Sequence, residues 1–459
     1  MGDFEVKPIL LYGEYERREK TSWRPWGGIQ SRADADKEAK RIGEELRELE
    51  EKASFSLAFQ SLDKTCSTEE IRNLEVDADA ILVYAAGAQE PATKEPLEAL
   101  LSFGKPLLFF LRKESGPVYL WYEILHPRFL RKDIFDEIVQ SVSVEDVVVD
   151  DYNEILWRLR SLSGLRSTKG AKVVSIGEPG GWGIGEKAVK QAVDIWDLQV
   201  EMVSYQDLKT RIEEAKTDEN ALETARNEAE SYLKDDKVKL TTQKQFVINA
   251  FLLKGVLNEF LQKFDTKILT IRQCMSTIIP ISETTACLPL SVFNDSGYIA
   301  FCESDFVAIP AGILLHYISG KPVFLVDPTF PHKGEVTVAH CTAPRRMNGV
   351  DLEPAEITTH YESDYGAAPQ VKMREGQVVT VINPAFNGKE WIGFRGRILG
   401  NTKLSICRSQ IDLAIEGDWK RLLREMKGFH WLIVYGDWLK EVGYAAKKAG
   451  IKLVNITQE

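Results

Sequence analysis

Tyr298-Ile-Ala-Phe-Cys-Glu303 and Lys321-Pro-Val-Phe-Leu-Val-Asp327 are two short apolar runs, each ending abruptly in an acid. Between them, Ser304-Asp305 is followed by an apolar-periodic segment to Gly320, which predicts strand, N-cap, helix and strand in turn. The separation of the two acids suits one strand–helix–strand unit. In an open parallel sheet both would emerge side by side at the carboxyl rim, where strand ends leave a crevice for ligands. A third run, Glu335-Val-Thr-Val-Ala-His340, ends in an imidazole, so three successive strand candidates deliver a polar group at the same end. His430 precedes the apolar run Trp431-Leu-Ile-Val-Tyr435 far along the chain, so only the fold can bring it in.

Glu303, Asp327, His340 and His430 together make a ligand set for a hard or borderline divalent cation. Each also has a structural alternative. An acid after a strand often caps a helix, an Asp327-Pro328 step commonly opens a turn, and His430 between Phe429 and Trp431 suits a satisfied core histidine. Asp305 is the better cap candidate, which leaves Glu303 without an obvious structural role.

Outward from this centre the chain divides into three regions. Residues 1 to 165 alternate apolar strands (Pro8–Tyr12, Ala80–Tyr84, Pro106–Leu111) with polar stretches, including a charged helix from Ala33 to Lys52, which argues for a parallel-sheet α/β domain. Ser163-Gly-Leu-Arg-Ser-Thr-Lys-Gly170 reads as a linker, and Ala171–Ile176 opens a second α/β domain, 166 to 344, that carries the acids. Acids and bases crowd the predicted helices between Asp207 and Asp265, the pattern of a solvated helical face. From 345 to 459 short β-rich segments (Gln377–Ile382, Trp391–Phe394, Lys403–Cys407) with Gly and Pro punctuation suggest a small barrel, completed by a return segment carrying His430. The expected class is α/β, with two Rossmann-like parallel-sheet domains followed by a β-rich barrel.

Composition agrees with a large enzyme: 459 residues, 44% of them hydrophobic, can fill several cores. No apolar run reaches the roughly 18 residues of a membrane span, and Met-Gly-Asp-Phe-Glu-Val-Lys lacks the basic and apolar regions of a signal peptide, so a cytoplasmic protein without membrane contact is expected. The net charge of −11 disfavours a nucleic-acid partner. Six scattered cysteines form no CxxC pair; buried free thiols are expected, with Cys302 and Cys341 adjoining the proposed ligands. Gly177-Glu-Pro-Gly-Gly-Trp-Gly-Ile-Gly185 follows a strand candidate and invites a nucleotide reading. Its spacing lacks the terminal x-x-G, and Pro179 removes an amide donor, so no nucleotide cofactor is expected and a flexible loop at a pocket mouth is the better assignment. Trp182 on that loop is a candidate to cover a ligand face.

Asn294-Asp-Ser-Gly-Tyr-Ile-Ala-Phe-Cys-Glu-Ser-Asp305, Gly320–Asp327, Ala339-His-Cys-Thr342 and Gly428-Phe-His-Trp-Leu-Ile-Val-Tyr-Gly436 resemble the L-fucose isomerase and L-arabinose isomerase superfamily over roughly the C-terminal two-thirds of the chain. The resemblance implies a manganese site, with magnesium or cobalt as alternatives, on Glu303, Asp327 and His430, and His340 fits the additional histidine of the arabinose-type members. It also implies a homo-oligomer, trimer or hexamer. The chain is shorter than the fucose enzyme, and its 330 to 410 region (Arg345-Arg346, His360-Tyr-Glu-Ser363, Cys407-Arg-Ser-Gln410) looks like a fucose-isomerase-like subgroup.

The resemblance implies an aldose–ketose isomerase, an intramolecular oxidoreductase acting on a free sugar or sugar derivative through an enediolate whose charge a chelating cation offsets. Glu303 and Asp327 would share the acid–base role. Candidate sugar contacts are Asn294, Asp295, His360, Glu362 and Arg408, while the neighbouring guanidiniums of Arg345 and Arg346 could clamp an anionic substituent or anchor a domain junction. Two other classes stay open: a non-catalytic sugar-binding or sensing protein of the same fold, and a glycoside hydrolase using Glu303 and Asp327 as a carboxylate pair without metal.

Overall fold

The structure, a computed structural model, describes residues 2–24, 26–87, 95–119 and 142–457. It divides into two compact units, Met1–Ser163 and Gly164–Glu459. Among the described residues no helix is long and apolar enough to cross a membrane.

In the first unit, strands β1 (Phe4–Leu11), β2 (Leu57–Phe59), β3 (Asp63–Thr65), β4 (Ala80–Ala85), β5 (Leu107–Leu111) and β6 (Val147–Val149) form a parallel sheet in the order β2-β1-β4-β5-β6, with β3 also on β1. Strands β4 and β5 are buried along their whole length, the reason they read as continuous apolar runs instead of alternating ones. The expected charged helix is Arg32–Lys52. Ser31 caps it by accepting from the Asp34 amide, and Ala35, Ile42, Leu46 and Leu49 form its buried stripe.

The second unit opens with β7 (Lys172–Ile176) and β8 (Gln199–Val203). The stretch 163–170, expected as a linker, is instead helical as far as Thr168, because Leu162 and Leu165 continue a buried stripe and the chain turns only at Gly170, φ 71°. Strands β9 (Val238–Leu240), β10 (Ile268–Ile271) and β11 (Ile299–Cys302) follow the charged helices. A four-stranded parallel sheet runs β11-β10-β7-β8, with β11 at its edge.

Strand β12 (Phe324–Pro328) does not join that sheet, contrary to the expectation drawn from the two acid-terminated runs. It lies antiparallel between β13 (Glu335–His340) and β19 (Trp431–Tyr435), which take both of its backbone edges. The remaining strands are β14 (Ala355–Thr358), β15 (Ala368–Val371), β16 (Val378–Pro384), β17 (Glu390–Gly400), β18 (Ser409–Glu416) and β20 (Lys452–Asn455). Following pairings around β16-β19-β12-β13-β18-β17 and back to β16 closes an antiparallel barrel, with β20 parallel to the first residues of β17 and β14, β15 and β9 in a separate small sheet. The barrel thus draws strands from both sides of residue 344. Lys403–Cys407, expected as a strand, is a loop held by one side chain: the Gln410 amide accepts from Leu404 N and donates to the carbonyls of Leu404 and Cys407.

Candidate metal centre

The site assembles from two kinds of sheet. Glu303 follows β11 at the carboxyl edge of the parallel sheet, while Asp327, His340 and His430 come from three adjacent barrel strands. Val326 pairs with Trp431 across β12 and β19, so Asp327 and His430 are neighbours one step further along. On its other edge Asp327 pairs with Ala339, one residue before His340. One ligand atom from each of Glu303, Asp327, His340 and His430 lies within 4.8 Å of all the others.

Individual separations are 3.5 Å from His340 Nε2 to Glu303 Oε1, and 3.4 Å from His430 Nε2 to both Glu303 Oε2 and Asp327 Oδ1. Those distances are long for hydrogen bonds and natural for donors sharing an ion. Nε2 of both imidazoles and Oδ1 of Asp327 are buried without a hydrogen-bond partner. Orphaned buried polar atoms are rare because desolvation leaves them uncompensated, and here all three converge on one point. The oxygen and imidazole donor set fits a divalent cation such as Mn2+.

Electrostatics point the same way. Burial alone would raise the Glu303 carboxyl, but the imidazoles of His340 and His430 hold it well below the usual carboxylate range. Burial pushes Asp327 up, with the two imidazoles opposing. For His430, burial works against the charged form, yet Asp305 and Glu303 raise it to about 9. His340 is raised by Glu303 and Asp327 against the same burial. The carboxylates therefore hold positive charge here, and a cation would supply what protons on the imidazoles otherwise provide.

Asp305, expected only as a helix cap, has a second role. It is fully buried, and its Oδ2 accepts from His430 Nδ1 at 2.7 Å, which turns Nε2 toward the ligand cluster. Its Oδ1 accepts from the amides of Val307 and Trp182, the local turn that precedes the helix Ile309–Ser319. Glu303 and Ser304 both take left-handed backbone, φ 67° and 47°, unusual for consecutive residues with side chains and typical of a strained functional turn.

The glycine-rich loop meets this turn through a bridge from Gly180 to Asp305. A Cβ on Gly181 would come within 2.4 Å of Ala188 Cβ, so close packing explains that glycine without a phosphate. Trp182 donates its Nε1 hydrogen to Glu303 Oε2 at 2.7 Å and stacks on Phe429 with ring centroids 4.3 Å apart, while 46% of it remains exposed.

A cavity of about 540 Å3 lies against Glu303 and His340, lined also by Trp182, His360 and Glu362. Five of the six cysteines, Cys274, Cys287, Cys302, Cys341 and Cys407, form part of its wall as free thiols. Arg272 and Gln273 line it too, together with a wide helical turn, Cys274–Ile278, that Gln273 enters at φ 52°. Sequence inspection passed over Arg272, although it follows the apolar run Ile268–Ile271 as Glu303 follows Ile299–Cys302.

The other proposed sugar contacts do not line the cavity. Asn294 is buried and spends its amide on the Ala300 backbone and the Leu290 carbonyl. Asp295 accepts from the amides of Arg345 and Arg346, and burial raises its carboxyl to about 6. Arg345 donates to the Glu353 carbonyl and to Asp235 and lies over the Tyr232 ring, while Arg346 donates to the Asp295 and Val350 carbonyls. That pair is an internal anchor and does not line the cavity, so Arg345 and Arg346 form no clamp for a bound anion there. Arg408 likewise donates to Thr359 beside Tyr361. Comparison of the whole chain with protein-family models gives no match, and no curated protein matches it either.

Proposed function

We propose that the chain is a metal-dependent aldose–ketose isomerase acting on a sugar or sugar derivative. The single observation that carries this reading is the convergence of Glu303 with the unpartnered polar atoms of Asp327, His340 and His430 beside a cavity large enough for a monosaccharide. The same reading takes the parallel sheets as two Rossmann-like domains preceding the barrel.

A divalent cation held by those four side chains would supply Lewis-acid stabilisation of the negative oxygens that develop on a hydroxy-carbonyl substrate. The chain supplies the rest. Glu303 lines the cavity, and with Asp327 it would share the transfer of a proton between adjacent substrate carbons. Asp305 fixes the ring of His430, and Trp182 fixes Glu303 while offering an exposed aromatic face to the cavity. His360, held at Nδ1 by Ser363 and hydrogen-bonded to the Cys341 thiol, lines the cavity as a polar contact for hydroxyls.

The test strips the full chain with EDTA, adds Mn2+, and follows aldose-to-ketose conversion across a panel of aldoses while electron paramagnetic resonance counts bound Mn2+. Stoichiometric binding with conversion that EDTA abolishes and Mn2+ restores is expected. Metal-independent hydrolysis of glycosides, or sugar binding without turnover in the Mn2+-loaded chain, would overturn the isomerase reading.

A further inference from the structure

Three strands of the parallel sheet end level with one another. Ile271 pairs with Ile176 on one side and Cys302 on the other, so Gly177, Arg272 and Glu303 stand in a row at the carboxyl edge. This edge opens on the cavity, and Arg272 lines it alongside Glu303. Glu303 turns away to Trp182 and the two imidazoles.

Arg272 is left with little. Its Nη1 meets the Glu178 carbonyl at 3.4 Å, the outer limit of a hydrogen bond, and among the described residues it has no carboxylate partner. A guanidinium presents five N–H donors in a planar fork matched to two oxygens of an anion. The fork lies against the glycine-rich loop: a Cβ on Gly180 would meet Arg272 Nη1 at 2.7 Å. Arg345 and Arg346, the cations expected for such a task, donate to Asp235 and backbone carbonyls and do not line the cavity.

We infer that Arg272 is the receptor for an oxyanionic substituent, and that the substrate of this cavity is an acidic sugar carrying a carboxylate or a phosphate. The inference rests on the isomerase reading for the sugar and on Arg272 for the charge. The reacting carbons lie against Glu303 and the anionic group lies along the same sheet edge, one strand over. The remaining charged wall residue, Glu362, belongs to another segment, near His360 and Cys407, and suits the hydroxyls between.

Calorimetry of the full chain, both Mn2+-loaded and metal-free, with D-glucuronate, D-glucose 6-phosphate and D-glucose tests this. At least one anionic sugar binds tenfold or more tighter than D-glucose, and which one it is separates carboxylate from phosphate. Arg272→Gln abolishes that preference while leaving Mn2+ stoichiometry intact, and Arg272→Lys restores part of it. Equal affinity for charged and neutral sugars, no measurable binding of either anionic sugar, or a preference that survives Arg272→Gln overturns the inference. Arg272-dependent anion binding in a chain that binds no Mn2+ or isomerises nothing would sink the isomerase reading and leave this one standing.

Discussion

Two buried polar clusters in the second unit look alike in composition and differ in what they leave unpaired. Around Asp295, the carboxylate receives two backbone amides, and the neighbouring arginines donate to Asp235 and three backbone carbonyls, leaving Arg345 Nη1 and the hydroxyl of Tyr232, over whose ring Arg345 lies, without a hydrogen-bond partner. Around Glu303, the imidazole Nε2 atoms and Asp327 Oδ1 converge without hydrogen-bond partners. The first cluster fastens Asp295, where the helix Cys287–Asp295 ends, to the segment after β13, and the second is open to an added ligand. Charge and burial do not separate a structural node from a candidate receptor; the convergence of several unpartnered donors on one point does.

The contrast breaks most visibly at Glu303. Glu303→Gln should lower isomerase turnover by about 10^2- to 10^4-fold, the range for losing a positioned acid–base group, with the thermal unfolding midpoint of the metal-free protein nearly unchanged. A variant with full activity would remove Glu303 from the chemistry. Next in size is Asp305→Asn, which keeps an acceptor for the turn amides but loses the charge behind His430. Mn2+ affinity, titrated by electron paramagnetic resonance, should weaken by about 10- to 100-fold. Unaltered affinity would show that the Asp305–His430 bond only packs the core.

The opposite behaviour is expected at the Asp295 node. Asp295→Ala leaves two amides without an acceptor and should destabilise the fold by about 1–3 kcal/mol in denaturant titrations, with Mn2+ affinity unchanged in the folded fraction. A loss of metal binding there without a loss of stability would erase the distinction. The smallest effect concerns His316, on the helix Ile309–Ser319, whose imidazole burial depresses from 6.5 to about 4. Between those values the unfolded chain takes a proton that the folded chain refuses, so this contribution is fully present above pH 6.5 and is lost as pH falls toward 4. Wild-type protein should lose more stability than His316→Gln between pH 7 and 5, and parallel curves would show that His316 does not titrate in this window.

Both α/β regions were legible because buried parallel strands are continuous apolar runs and their helices are charged and capped: Ala80–Ala85 and Arg32–Lys52 stand close to where periodicity put them. Strand ends marked Glu303, Asp327 and His340 for the same reason, since an abrupt polar residue after an apolar run falls at a sheet edge. Helix continuity through Leu165 and the side-chain clamp of Gln410 carry no comparable local signal, and both were misassigned.

The sequence by itself determined the ligand chemistry: two acids and two histidines, each beside a run of apolar residues that had to be buried. Only the tertiary structure decided that Asp327 belongs to a barrel and not to the sheet of Glu303, that His430 sits beside Asp327, and that Arg345 is an anchor while Arg272 is free. The physical reason is that strand pairing is a contest between backbone edges distant in the chain. Local periodicity says that a segment will be a strand, but the partner that saturates its hydrogen bonds, and hence the direction of every side chain at its end, is settled by the packing of the whole unit.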